Sequence, residues 1–210
     1  MKPPLMARLS RLKRAISMVG GLRRGCRDLS KGHPGRGVGS TCQNASMTSL
    51  RELTEADLGA VVDINNAGYP AVPLSTLEEI RALFALSSYR MAALDDEGSL
   101  VGFALALDPG AEYDSENYVY FEGRFDNHLY IDRIVLADSA RGLGLGTALY
   151  EDLFDFARRQ GRAAVTCEVN LDPPNPGSLR FHRRFGFEDV DTQATKGGKV
   201  VVQLLHAPLV

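Results

Sequence analysis

No run of 18 apolar residues occurs anywhere in the chain, which excludes a transmembrane helix of ordinary length. Cysteine is scarce as well. Of three cysteines, Cys26 and Cys42 fall near the N-terminus and Cys167 in an expected buried strand, so there is neither a disulfide framework nor paired metal-ligand spacing. These absences point to a reducing compartment, the cytoplasm, and to no bound metal. Acidic residues are almost missing from one end: residues 1–46 hold ten Lys or Arg and a single acid, Asp28, which leaves 14 basic against 25 acidic residues beyond them. No internal repeat is present. What remains is 44% hydrophobic content in 210 residues, enough for the core of one ordinary domain with an appendage.

The appendage, residues 1–46, scatters glycines such as Gly20, Gly21, Gly35 and Gly37 among its arginines. It has too few large apolar residues for a core of its own and reads as disordered, although Leu9, Leu12 and Ile16 recur at helical spacing and leave a short helix over Leu5–Val19 open. Three readings of it stand: an Arg-rich organelle presequence, a nucleic-acid-binding arm, or a translation start called too early, with Met47 opening the protein proper. The single domain spans 47–210. Its acidic charge gives no reason to expect nucleic acid or a membrane as its partner.

Within that domain, Ser49–Leu53 reads as a short strand and Thr54 as the cap of a helix carrying Leu58, Val61, Val62 and Asn65. A second helix is expected from Ser75, with Glu78 as its capping-box partner and Leu77, Ile80, Leu83 and Phe84 as its apolar face. Tyr89–Leu94 and Leu100–Leu107 read as a hairpin across Asp95-Asp96-Glu97-Gly98. Residues 110–127 lack a clean period and read as an irregular loop with one helical turn at most. Strands follow at His128–Leu136, Ala163–Asn170, Phe187–Asp191 and Val200–Leu205, with helices at Gly146–Gln160 and Pro176–Phe185 between them. Alternation on the 163–170 strand sets Val165, Cys167 and Val169 on one face and Thr166, Glu168 and Asn170 on the other.

The most informative stretch is Arg141-Gly142-Leu143-Gly144-Leu145-Gly146, between a buried-strand pattern and an amphipathic helix. A helix N-terminus offers backbone N–H groups without internal partners and the positive end of the dipole, so the segment is built to cradle a phosphate. Arg141 would add charge. A dinucleotide fingerprint is excluded, because the third residue after Gly144 is Thr147 and after Gly146 is Leu149, and the Lys of a Walker loop is missing. The segment instead resembles the RxxGxG pattern of the GNAT superfamily of N-acetyltransferases, through Arg141, Gly144 and Gly146. A second block, Asn175, Ser178, Phe181, His182, Gly186 and Phe187, is similar to that family's Asn-x-x-Ala-x-x-Leu/Phe-Tyr-x-x-x-Gly-Phe pattern. Residues 128–190 also resemble a subgroup of predicted acetyltransferases that carries Cys-Glu-Val-Asn-Leu-Asp-Pro-Pro-Asn-Pro, here Cys167 to Pro176.

The resemblance implies an α+β (α/β layered) GNAT fold, a mixed central sheet of about six to seven strands flanked by helices. In it the strand before the glycine loop and the strand after the next helix splay apart, and the pantetheine of acetyl-CoA, the cosubstrate, enters between them. It further implies that the backbone of Ile134, Val135 and Leu136 pairs with the pantetheine, and that Arg141, Gly142, Leu143, Gly144, Leu145, Gly146 and Thr147 hold the pyrophosphate. Asn175 would help hold CoA or cap the following helix. Acyl transfer to an amine needs a neutral nucleophile, a stabilised oxyanion and a proton for the departing thiolate. Asp132 and Glu168 are candidates to draw the proton from the ammonium, unless they form salt bridges with Arg133, Arg162 or Arg180. His182 stands where many members have an acidic tyrosine, and is the candidate general acid or else a structural histidine. The implied acceptor is a primary amine on a small molecule or an amino terminus, attacked directly in a ternary complex, and the acidic body favours a cationic amine by steering. A non-catalytic acyl-CoA sensor of the same fold is the alternative, and a homodimer is left open.

Overall fold

The computed structural model describes residues 49–209. The expectations for residues 1–46, for Cys26 and Cys42 and for Met47 lie outside the described residues. Strands form at β1 (Ser49–Glu52), β2 (Tyr89–Leu94), β3 (Leu100–Leu107), β4 (His128–Leu136), β5 (Ala164–Asp172), β6 (Glu188–Thr195) and β7 (Val200–Pro208). They make one seven-stranded sheet in the order β1-β2-β3-β4-β5-β7-β6. Every neighbouring pair is antiparallel except β4 and β5, which are parallel. The β2–β3 hairpin closes as its turn residues dictate: Asp95 Oδ1 accepts the N–H groups of Glu97 and Ser99 at 3.0 and 2.9 Å.

Helices cover both faces of this sheet, and each face has its own core. Helix α4 (Leu145–Arg159) buries Leu145, Leu149, Tyr150, Leu153, Phe154 and Ala157, a stripe at helical spacing, against Leu129, Ile131, Val165, Cys167 and Val169. Leu179, Phe181 and Phe185 of α5 (Pro176–Arg184) pack on the same core. The opposite core joins α1 (Leu58–Ala67), α2 (Leu77–Leu86) and α3 (Glu116–Glu122) through Leu58, Val61, Ile80, Leu83, Tyr118 and Phe121 to Phe103, Leu105 and Tyr130.

Three local expectations are corrected. Thr54 caps a short 3-10 turn, Glu55–Asp57, that precedes α1. The cap of α2 is Thr76 with Glu79, one residue beyond the expected Ser75 and Glu78. Ser75 is already taken by the previous helix: its N–H donates to Asn66 Oδ1 at 2.8 Å and its carbonyl accepts from Asn66 Nδ2 at 3.0 Å. The segment read as irregular contains α3, seven residues long.

The feature that positions the site lies in β4. Ala106 of β3 pairs with Ile131 and Leu105 with Arg133, so Asp132 is an extra residue in a β-bulge. The bulge exchanges the faces of the strand. Leu129 and Ile131 before it point toward α4, and so do Ile134 and Leu136 after it, while Tyr130 and Val135 point to the other core. Meanwhile β4 pairs with β5 only over His128–Tyr130 and Ala164–Thr166. Beyond Tyr130 the two strands part.

The end of β4 is supported from β3 by Gly102, opposite Leu136. A Cβ there would lie 2.3 Å from Leu136 Cδ2 and 2.9 Å from the Val135 carbonyl oxygen, so backbone must move. Gly102→Ala is expected to destabilise the chain by about 1–3 kcal/mol in urea unfolding; an unchanged midpoint would show that β3 and β4 are loosely packed at this end.

Candidate active site

The glycine loop turns the end of β4 into α4. A short 3-10 turn, Asp138–Ala140, leads to Arg141, and Gly144 caps α4 with φ 76°, a left-handed conformation that side chains rarely adopt. The first helical hydrogen bond runs from Ala148 N–H to the Gly144 carbonyl at 3.0 Å. The amides of Leu145, Gly146 and Thr147 therefore precede it at the positive end of the helix dipole. Gly146 serves packing: its Cβ would meet Leu136 Cδ1 at 3.2 Å and the Phe181 ring at 3.6 Å. Arg141 extends into solvent and pairs with Asp138 at 2.8 Å. On the side facing β5, the backbone of Ile134, Val135 and Leu136 has no strand partner among the described residues. An anionic group attached to an extended amide-bearing arm, as in acetyl-CoA, fits these features, with the anion on the α4 amides and the arm along the free β4 edge.

Where β4 and β5 part, a cavity of about 500 Å³ opens. Asp132, Glu168, His182 and Asn175 all line it, so residues far apart in sequence meet in one place. Asp132 is 8% exposed and doubly held: Tyr113 O–H donates to Oδ1 at 2.7 Å, and Arg133 Nη1 pairs with Oδ2. Glu168 has no cationic partner among the described residues. Instead Tyr130 O–H reaches both of its carboxylate oxygens, at 3.1 and 2.9 Å. Burial first, and then the charge of Asp132, push the Glu168 carboxyl up to about 7, against the hydrogen bonds of Tyr130 and Asn117 and the charge of Arg133. Of the other expected partners, Arg162 pairs with Asp108 at 2.8 Å.

His182 sits on α5 with 4% of its surface exposed. Its Nδ1 lies 2.8 Å from the Ser178 carbonyl, so Nδ1–H donates there, and Nε2 then accepts from Tyr150 O–H at 2.6 Å. Burial pushes its pKa down, opposed by the bond to the Ser178 carbonyl, so the ring is neutral. Asn175 caps α5: its Oδ1 accepts Ser178 N–H at 3.2 Å, ahead of Pro176 in the first turn.

Tyr130 and Asn117 escape a reading of the sequence. Tyr130 looks like one more apolar strand residue, and Asn117 lies in a stretch without period. Only the fold places the Tyr130 hydroxyl against Glu168, 38 positions away. Lys196 and Lys199, on the turn between β6 and β7, also line the cavity and carry no sequence signal of their own.

Comparison with known proteins agrees with this geometry. The profile of the Acetyltransferase (GNAT) family matches residues 58–187. The chain is 34% identical over 76 residues to a probable N-acetyltransferase san of Drosophila melanogaster, a match that spans 33% of this chain and 40% of that protein. Among solved structures, Ard1 from Thermoplasma volcanium superposes with a TM-score of 0.62 at 19% identity, over 78% of this chain and 98% of the other. The GNAT superfamily phosphinothricin acetyltransferase of Sinorhizobium meliloti, determined with acetyl-CoA, gives a TM-score of 0.60 at 23% identity, over 77% and 88%. Among the described residues no helix is long and apolar enough to cross a membrane. With the bulged β4, the parted strands and the glycine-capped α4 already in place, the match over residues 58–187 makes this chain a member of the GNAT acetyltransferase family.

Proposed function

We propose that the chain is an N-acetyltransferase that moves an acetyl group from acetyl-CoA to a primary amine, on a small molecule or an amino terminus, by direct attack in a ternary complex. The observation that carries this reading is the meeting, in one cleft, of the free β4 edge and a carboxyl group tuned to neutral pH, Glu168. Bound acetyl-CoA supplies the thioester carbonyl that the amine attacks. The amides of Leu145, Gly146 and Thr147 would hold its pyrophosphate and the backbone of Ile134–Leu136 its pantetheine.

Glu168 takes the proton from the acceptor ammonium, directly or through one water, and frees the nitrogen lone pair. Its raised pKa suits the task, since a base is most effective when it titrates near the working pH. Tyr130 holds the carboxylate in place. Asp132, held between Tyr113 and Arg133, lies beside Glu168 and raises its proton affinity. We assign His182 a positioning role in place of general acid, because both ring nitrogens are engaged, with Tyr150 on α4 and Ser178 on α5.

Calorimetric titration of acetyl-CoA into the full chain is expected to show binding, and Gly144→Glu, which sets a carboxylate among the α4 amides, to abolish it in a folded protein. Retained binding in that variant would move the donor site elsewhere. Glu168→Gln is expected to leave donor binding intact and to lower kcat by about 10²- to 10⁴-fold, while wild-type kcat/KM rises with pH through about 7 and the variant loses that rise. A variant that keeps full turnover would remove Glu168 from the chemistry.

The same substitution has a thermodynamic signature. A carboxyl whose folded pKa is raised from 4.5 to about 7 withholds stability as pH climbs through that window, because the folded state binds the proton more tightly than the unfolded chain. Glu168→Gln is therefore expected to match wild type in urea unfolding below pH 4.5 and to exceed it above pH 7. Equal midpoints at both ends would show that Glu168 is solvated.

A further inference from the structure

We propose that the acceptor is a small amine that also carries an anionic group, and that Lys196 and Lys199 bind that group while the amine faces Glu168. This rests on the amine acetylation proposed above and adds the class of acceptor. It begins from the charges that line the cavity. Asp132 and Arg133 are bound to each other and leave little net field. Glu168 lies at the floor where the strands part, and Lys196 and Lys199 lie on the turn after β6, so one cavity carries a carboxyl group and two cations. Among the described residues neither lysine side chain has an ion pair. Glu116 meets Lys196 through the main chain, since its Oε2 accepts the Lys196 backbone N–H at 2.9 Å.

The shape of the turn supports the assignment. Lys196 has φ 53° and is the one non-glycine residue with left-handed backbone among those described, followed by Gly197 at 67° and Gly198 at 85°. Glycine or asparagine would fill such a position with less strain, and strained positions held by their surroundings gather at ligand sites. Here the strain is held by Glu116 and by Gly198 N–H on the Thr195 carbonyl at 3.0 Å. Tyr69 to Pro73 add apolar surface to the cavity lining. An amine bearing a carboxylate or phosphonate would satisfy both lysines. An amine with a second cation would meet them as like charges. This local field runs against the cationic acceptor that the acidic net charge suggests, because the groups in the cavity act at contact distance and the rest is screened by salt.

The test uses the full chain with acetyl-CoA and thiol-release detection, each apolar amino acid being compared as acceptor with its own primary amide. Wild type is expected to prefer the acids on the order of tenfold in kcat/KM, through KM, the scale of one charge-assisted hydrogen bond. In the Lys196→Ala, Lys199→Ala double variant the preference is expected to vanish while kcat with the amides stays at the wild-type value. Equal use of acids and amides by wild type, a preference that survives in the double variant, or acetylation confined to peptide amino termini would each overturn the proposal and leave acetyltransfer standing. Binding of acetyl-CoA with no acetylation of any amine would overturn acetyltransfer, and this proposal with it.

Discussion

The site depends on the brevity of a single strand pairing. Parallel β4 and β5 share three residue pairs, ending at Tyr130 and Thr166, and each strand then continues alone on its inner edge. Unpaired backbone groups in a protein interior cost about 1–3 kcal/mol each, so such a parting persists only where water or a ligand can reach it. The outer edges explain why the gap stays open. β5 remains paired with β7 from Ala164 to Asp172, and β4 with β3 up to Leu136. Two fully paired half-sheets hold the cleft apart, which makes it a property of the sheet and not of its loops. The bulge at Asp132 lies two residues beyond the last β4–β5 pair and bends β4 where contact with β5 has ended.

Near the same bulge two carboxyl groups meet different surroundings. Without the extra residue, the residues after Asp132 would point the other way. Asp132 is held between Tyr113 and Arg133, a hydroxyl and a cation. Glu168 receives a hydroxyl but no cation, and its burial beside Asp132 makes it the group that titrates near neutrality. The charge of Asp132 raises the proton affinity of Glu168, and that of Arg133 opposes it.

What the sequence discloses is what is encoded locally. The hairpin of β2 and β3, the strand His128–Leu136, the glycine loop and the cap at Asn175 each depend on residues within a few positions of one another, and each appears at its expected place. Errors arise where distant groups compete. Ser75-Thr76-Leu77-Glu78-Glu79 contains two overlapping capping boxes, and Asn66 decides between them by engaging Ser75. Helix α3 hides because Asn117, Tyr118 and Phe121 are buried on a segment too short to show a period. The bulge leaves no mark in the alternation of a strand that is apolar on both faces, and the pairing of Tyr130 with Glu168 is purely tertiary. The carboxyl groups could therefore be named from the sequence, but not their different surroundings.

His182 ties the cleft to the helices beside it. Its ring joins Tyr150 on α4 to Ser178 on α5, while Phe181, its neighbour, packs against Gly146 in the first turn of α4. The helix that follows β5 is thus fastened to the helix that would receive the donor's pyrophosphate. A buried neutral histidine favours the folded state above its ordinary pKa of 6.5 and loses that contribution as pH falls below it. Glu168 acts in the opposite sense, withholding stability as pH rises from 4.5 to about 7. The two windows meet near neutrality. There the α4–α5 fastening is intact and Glu168 is partly ionised, so ionising Glu168 draws on the stability of the fold. Glu168 is met by hydroxyl and amide donors, Tyr130 and Asn117, and a cation placed against it would stabilise the carboxylate and lower its proton affinity.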